Sequence, residues 1–515
     1  MTDSVINRLV AQAPSPGHHI SFFRLGGIET VELTDFHARA GRLALWLREL
    51  GIGRGDRIGI LAANCLEWML LDLAAIRLGA VSVGFDPAKF DTDTGLCERY
   101  RLSVLFTDGA PTAPGSRSLG EVGPAAERPR PGEVLEPIVY SPDDVLSLKL
   151  TSGSTGEPKT LTAGVGSVDD DLRAVQEMFA HGADDNLLVF LPLSVVQQRY
   201  WTYSALRWGH DVTICTYESA FPALRLIRPT VVMGVPGFFE SARKHIQARM
   251  GDAAGGDEDG ARRDAVRQLF GDRIRYLWTG SAPAAAGTLR FFTDAGLPIF
   301  EGYGLNETCI VAKNHPGAHR EGSVGRVLPG KQVLLDAEGV IHVRAEHPVC
   351  RGYEQAPPGV SERVFAADGT VRTNDIGRLD EDGFLYIHGR ADDVIVLDNG
   401  RKIAVRPLEE HMKISPAIEE CVVFCPTQTH LVAVVSPAVE PVGPAEEQAI
   451  AEQLARTNAA FGADEQIRYV VVAHPGFGVE NGLLTSQLKP RRGRIHDTYR
   501  SRIHDNQGSI HAVRD

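Results

Sequence analysis

The run Leu150–Thr160, LTSGSTGEPKT, sets two glycines, the hydroxyls of Thr151, Ser152, Ser154 and Thr155, a proline and a lysine directly behind a strand-like VLSLKL. A Walker loop needs GxxxxGK[ST], with lysine directly after the last glycine and a helix N-terminus under the phosphate. Here Glu157 and Pro158 separate Gly156 from Lys159, so that geometry is broken. What remains is a chain of backbone N–H groups and hydroxyls beside one cation. Such a loop wraps a polyphosphate, its glycines permitting close approach. A plain Ser/Gly linker is the competing reading, and the fixed offsets of Pro158 and Lys159 after a strand argue against it.

Outward from this loop the chain alternates strand and helix. A helix is expected from a Thr34 or Asp35 cap, with Leu43, Leu47 and Leu50 on one face and Gly51 as its stop. RIGILAA reads as a buried strand, Glu67 to Leu78 as a helix and AVSVGF as the next strand; NLLVFLPL, DVTICTY, TVVMGVP and RYLWTG continue the rhythm. Helix-covered, mostly parallel sheets are the natural outcome. Residues 109–133, rich in Pro, Gly and Ser, and 251–264, rich in Gly and Asp, read as surface loops that do not carry the fold. After about residue 330 the texture becomes hairpins, in KQVLLDAEGVIHVRA and GRLDEDGFLYIHGR. Beyond Arg390 a hairpin turning at Asn399-Gly400 feeds a helix, the start of a small α+β domain.

Composition bounds the function. With 515 residues, 43% hydrophobic and 23% charged, the chain reads as a multi-domain globular protein. Its net charge of -13 disfavours nucleic acid as a partner, since backbone binding needs a basic surface. Seven cysteines without CxxC pairs suit a reducing cytoplasm, and Cys421 and Cys425 in CVVFC read as buried small apolar residues. The apolar run WMLLDLAAIRLGAVSVGF is interrupted by Asp72 and Arg77 and broken at Gly79, so no membrane span is expected.

With its loop the sequence resembles the adenylate-forming enzymes: acyl-CoA synthetases, peptide-synthetase adenylation domains and luciferases. TGSAP (279–283), EGYGLNET (301–308), GSVGRVLPG (322–330), TNDIGRLDEDGFLYIHGRADDVI (373–395) and NGLLTSQLKPRR (481–492) follow in that family's order. The last of these is nearest the long-chain acyl-CoA synthetase and carboxylic acid reductase branches. The resemblance implies an α/β fold with a large N-terminal domain (1–390) of parallel sheets plus a distorted barrel, and a small hinged α+β domain (391–515). It implies ATP and Mg²⁺, with an acid oxygen attacking the α-phosphorus to give an AMP anhydride and pyrophosphate.

Residue by residue, it implies that Thr151, Ser152, Gly153, Ser154, Thr155, Gly156 and Lys159 hold the outer phosphates. Gly280, Ser281, Ala282 and Glu301 would line the nucleotide site. Tyr303 would stack on adenine, with Gly302 and Gly304 making room for the base. Asp375 would accept from the ribose hydroxyls beside Arg390, Glu307 would bind Mg²⁺, and Asn306 would face the α-phosphate. Lys489 would reach the reacting carboxylate from the small domain, which would swing about Asp392. The acid pocket would include Val195, Arg199, Trp278 and Gly280, with Arg199 either contacting the acid or lying on a helix surface.

Three positions depart from the family pattern. Val195 stands where relatives carry a His or aromatic gate, Asn306 where Thr is usual, and Asn374 where Gly is usual. The resemblance therefore leaves the acid open. An organic carboxylate passed to CoA, a carrier thiol or an amine is the leading expectation. A diazotase that activates nitrite for attack by an arylamine is the alternative, and a nucleotide-binding protein without turnover is disfavoured by the intact Lys159, Glu307, Asp375, Arg390 and Lys489.

Overall fold

The computed structural model describes residues 4–24, 26–92, 95–151, 158–250, 258–398, 401–427, 429–485, 489–505 and 510–511. Among these, two large sheets form the N-terminal part. One has the order Tyr353–Glu354, Lys159–Gly164, Val145–Thr151, Val81–Phe85, Arg57–Leu61, Val104–Thr107, Ser116–Ser118. The other runs Arg326–Val327, Cys309–Lys313, Ile299–Leu305, Tyr276–Thr279, Val231–Gly234, Asn186–Val189, Asp211–Ile214, His19–Arg24, Gly27–Glu32. Their central strands pair in parallel and are apolar on both faces: Val231–Gly234 and Tyr276–Thr279 are buried at every position. Each sheet carries an antiparallel pair at the motif-bearing end, Val145–Thr151 against Lys159–Gly164 and Ile299–Leu305 against Cys309–Lys313.

The antiparallel region expected as a distorted barrel is a four-stranded sheet of Lys331–Leu335, Val340–Ala345, Val371–Leu379 and Leu385–Arg390. After Arg390 a short 3-10 turn leads to the hairpin Val394–Val396/Lys402–Ala404, and its turn residues 399–400 lie outside the described residues. A three-stranded sheet (Ile418–Phe424, Leu431–Pro437, Ile467–Val472) follows, with Val405–Met412, Pro444–Ala460 and Arg492–Asp505 as its helices. Cores form on both of its faces, around Leu408, Val435 and Ile450 on one and Val434, Tyr469 and Ile495 on the other.

Local departures from the sequence reading have simple causes. The first long helix begins at Leu33, not behind a Thr34 or Asp35 cap. Those residues sit inside its first turn, where the Asp35 carboxylate favours the positive helix end. Residues 109–133 are not an inert loop: Ser116–Ser118 pairs with Val104–Thr107, and Val122–Glu127 is a helix burying Val122 and Ala126. Within 251–264 the later half is helix, Glu258–Phe270. The seven cysteines are free thiols, Cys421 buried and Cys425 partly so.

Arg199 requires the main correction. It is neither on a helix surface nor open to an acid pocket; it is fully buried and ion-paired to fully buried Asp72 at 3.0 Å. Its Nη1 also donates to Ser82 (2.8 Å) and Ser147 (2.9 Å), and its Nε donates to the Leu193 carbonyl. The Tyr203 hydroxyl donates to the other Asp72 oxygen. Asp72, which interrupts the apolar run 68–85, is thus the partner that lets helix Val196–Trp208 carry a cation into the core. Breaking such a pair leaves an uncompensated charge, which costs more than the pair contributes. Arg199→Ala is expected to lower stability to urea by about 3–5 kcal/mol, whereas Lys244→Ala on an exposed helix face should change it little.

Candidate active site

The segment 299–313 is the site's frame. Strand Ile299–Leu305 turns at Asn306-Glu307-Thr308 and returns as Cys309–Lys313, the Leu305 N–H donating to the Thr308 hydroxyl (3.0 Å). Three buried lysines bond its backbone. Lys149 donates to the Asn306 carbonyl (2.9 Å), and Lys331 donates to the carbonyls of Thr308 (2.9 Å) and Ile310 while pairing with Asp171 (2.7 Å). Lys313 donates to Phe300 (3.0 Å) and Thr279 (3.2 Å). Gly302 and Gly304 answer to this packing. A Cβ on Gly302 would stand 2.6 Å from the Lys313 Cδ, and one on Gly304 would stand 1.9 Å from the Cys309 carbonyl oxygen. The space they leave is occupied by a buried lysine and the returning strand.

Asp375 and Arg390 face each other across paired strands, 3.6 Å apart at their charged atoms, and the Tyr303 hydroxyl donates to the second Asp375 oxygen at 2.6 Å. Burial pushes the Asp375 carboxyl up, against the pull of Tyr303 and Arg390. Asn374 has φ +64, a left-handed conformation that Asn tolerates better than most residues, which explains how it stands in a glycine's position. Glu301 accepts the Ala284 N–H (3.2 Å), so its carboxylate fastens the turn after Thr279; burial raises its pKa.

Lys489 arrives from the C-terminal part. The Thr485 N–H donates to the Lys489 carbonyl (2.8 Å), and the Lys489 N–H donates to the Thr485 hydroxyl (3.1 Å). Three residues on, Arg492 pairs with Glu409 and Asp393 and donates to the Val423 carbonyl (3.0 Å). The residue is exposed along its stem, yet its ammonium donates to the Ser281 carbonyl at 2.8 Å. Loss of water, then the charges of Arg390 and Arg406, hold that ammonium below the usual lysine range, with Asp375 opposing. One group of side chains therefore holds Tyr303, Asp375, Arg390, Ser281 and Lys489.

A second group lies at the signature loop. Thr151 pairs with Lys159 across its base, while Ser152, Gly153, Ser154, Thr155 and Gly156 lie outside the described residues, as does the Asp392 side chain. The Lys159 ammonium stands 4.7 Å over the Tyr353 ring, and the Tyr353 hydroxyl donates to Glu307 at 2.7 Å. Tyr353, Arg406 and the three buried lysines were not singled out from sequence. Lys149 had a visible signal: it shares its strand face with Ser147 and Thr151, between Leu148 and Leu150. Tyr353 in RGYE had none.

Residues 10–353 match the family described as AMP-binding enzyme, and residues 392–505 match the AMP-binding enzyme C-terminal domain. The chain belongs to the AMP-binding enzyme family. It is 28% identical to a long-chain-fatty-acid–CoA ligase of Mycobacterium bovis over 74% of this chain and 72% of that protein. It is 28% identical to the carboxylic acid reductase of Mycobacterium tuberculosis over 92% of this chain and 46% of that protein. Its fold is that of ATP-bound MatB from Rhodopseudomonas palustris (TM-score 0.77, 21% identity, 97% of this chain and 99% of that one). The adenylation domain of a carboxylate reductase from Mycobacterium chelonae superposes equally well (TM-score 0.77, 21% identity, 98% and 91%).

The residues expected around the acid have different environments. Val195 is 39% exposed at the head of helix Val196–Trp208. Trp278 is buried, packed by Phe179 (5.4 Å between ring centres) and Trp201 (4.9 Å), with the Lys313 ammonium 3.7 Å from its ring centre. Gly280 lies next to the Gly302 carbonyl. The perturbed charge of Lys489 is directly measurable. A depressed pKa makes the neutral, nucleophilic amine appear at lower pH, so Lys489 should be acylated by an amine reagent at a lower pH than a free lysine side chain, and Arg390→Ala should move that midpoint upward; peptide mass mapping across a pH series reads both.

Proposed function

We propose that the protein is an ATP- and Mg²⁺-dependent ligase that adenylates an acid, releases pyrophosphate and passes the activated acid to a second nucleophile, with an organic carboxylate and CoA or another thiol as the leading pair. The observation that carries this reading is the delivery of Lys489 to the Ser281 carbonyl beside Asp375 and Arg390. A carboxylate attacking phosphorus concentrates negative charge on the phosphate oxygens, and a prepositioned ammonium stabilises that charge without reorganising. The donation to a carbonyl is one that an incoming anion can replace. Asp375 offers acceptors to ribose hydroxyls once Tyr303 turns to the base, and Lys159 supplies the cation beside the outer phosphates. Asn306 presents an amide donor at the same turn.

The donor set fits Mg²⁺. Among the described residues no three His, Cys, Asp or Glu side chains converge. Mg²⁺ bound with a nucleotide keeps waters and phosphate oxygens and asks for only one or two carboxylates, which Glu307 supplies. The metal would neutralise phosphate charge, while Tyr353 holds one Glu307 oxygen in place. For transfer, the small domain would rotate about Asp392 and withdraw Lys489, admitting the thiol.

The alternative reading is an ATP-dependent diazotase that activates nitrite for attack by an arylamine; Val195 and Asn306, where the family's usual residues are absent, keep it open. Pyrophosphate release decides between them: turnover with carboxylic acids plus CoA is expected on the first reading, and turnover only with nitrite plus an arylamine would replace it. On either, Lys489→Ala should cut adenylate formation by about 10²–10³-fold with ATP affinity retained, and unchanged AMP production would remove Lys489 from the mechanism. Glu307→Ala should blunt the response to Mg²⁺ in the same assay.

A further inference from the structure

Tyr353 touches both charged groups at the signature loop and belongs to none of the motifs read from sequence. Its ring lies under the Lys159 ammonium and its hydroxyl donates to Glu307 Oε1. The phenol is itself fixed from several sides. Strand Tyr353–Glu354 pairs with Lys159–Gly164, placing Tyr353 opposite Leu161. The Tyr353 N–H donates to the Ser361 hydroxyl (2.9 Å), and the Phe365 ring meets Tyr353 edge-on at 5.2 Å. Arg57 binds the neighbouring Glu354 at 2.8 Å. Glu307, by contrast, stands on the turn of the other large sheet, so Tyr353 is the link between the loop's cation and the carboxylate across two sheets.

We propose that Tyr353 is a positioning residue for adenylation, holding Lys159 and Glu307 side by side while preventing their direct ion pair. The inference rests on the adenylation reading above. A direct Lys159–Glu307 pair would neutralise the phosphate cation and the metal carboxylate and would have to break before nucleotide and metal entered. The aromatic face holds the ammonium without a directional bond, so phosphate oxygens take it over readily. The phenol hydrogen bond fixes the carboxylate plane through one oxygen and leaves the other directed by that constraint, as outer groups orient metal ligands elsewhere.

The two halves of this device separate by substitution. Tyr353→Phe keeps the ring and removes the hydroxyl; Tyr353→Leu removes both. ATP affinity is measured by calorimetry without metal and across a Mg²⁺ series, beside thermal unfolding of each variant. Tyr353→Phe should leave metal-free ATP affinity unchanged and raise the Mg²⁺ concentration at half-effect by about 10-fold. Tyr353→Leu should in addition weaken metal-free ATP binding. A wild-type Mg²⁺ series in Tyr353→Phe, with the response lost in Glu307→Ala, would overturn the proposal alone. A wild-type series in Glu307→Ala would remove the metal role of Glu307 and this inference with it. Unchanged metal-free affinity in Tyr353→Leu would overturn the role assigned to the ring.

Discussion

Three ammonium groups buried under one hairpin decide where this site stands. Lys149, Lys313 and Lys331 are withdrawn from water and donate to the carbonyls of Asn306, of Thr279 and Phe300, and of Thr308 and Ile310. A buried ammonium without acceptors is too costly to persist, so each of these bonds must form when the fold forms. Because the acceptors are backbone atoms flanking Glu301, Tyr303, Asn306 and Glu307, satisfying the lysines fixes the path of the chain that carries those side chains. Burial holds the Lys313 charge well below the usual lysine range, and Glu301 and the Trp278 ring offset that cost. The turn is therefore rigid for an electrostatic reason, not because it is tightly wound.

That constraint also orders the charges at the surface of the site. The chain as a whole is acidic, yet Arg390, Arg406 and Lys489 influence one another around Asp375, and Lys159 stands apart on Tyr353. Burial lowers the Lys489 pKa first, and the neighbouring Arg390 and Arg406 charges lower it further against the pull of Asp375. Cations brought this close suit a polyanion and repel one another without it. Hydrogen bonds to Ser281, and from Tyr303 to Asp375, hold the groups until an anion replaces them.

Much of the fold was legible because parallel strands buried on both faces write themselves as apolar runs between helical stretches, as in 57–61, 81–85, 231–234 and 276–279. The family was legible through its motifs, since a glycine- and hydroxyl-rich loop and the segments that follow it in order are local patterns. What escaped were properties created by contact between distant segments. Arg199 reads as a surface or pocket residue until Asp72, 127 positions away, meets it in the core. Tyr353 looks ordinary until strand pairing lays it against Lys159 and brings it to Glu307. The helix Val122–Glu127 was hidden by the Pro- and Gly-rich composition around it, although burial of Val122 and Ala126 was enough to form it. The packing at Gly302 was hidden in the same way, since the approach of the Lys313 side chain depends on the paired strand.

The same logic reaches the small domain. Lys489 lies in a turn moored by Arg492, and Arg492 is bound to Glu409 on the first helix of that domain and to Asp393 beside the proposed pivot. The lysine, its helix and the residue after Asp392 are thus tied into one unit by side-chain bonds that do not involve the large domain. The Lys489–Ser281 bond, by contrast, crosses between the two parts at an exposed position. A rotation about the proposed pivot at Asp392 would break that bond and leave the Arg492 bonds in place. That difference is what the proposed adenylation lysine needs if it is to leave after the first half-reaction.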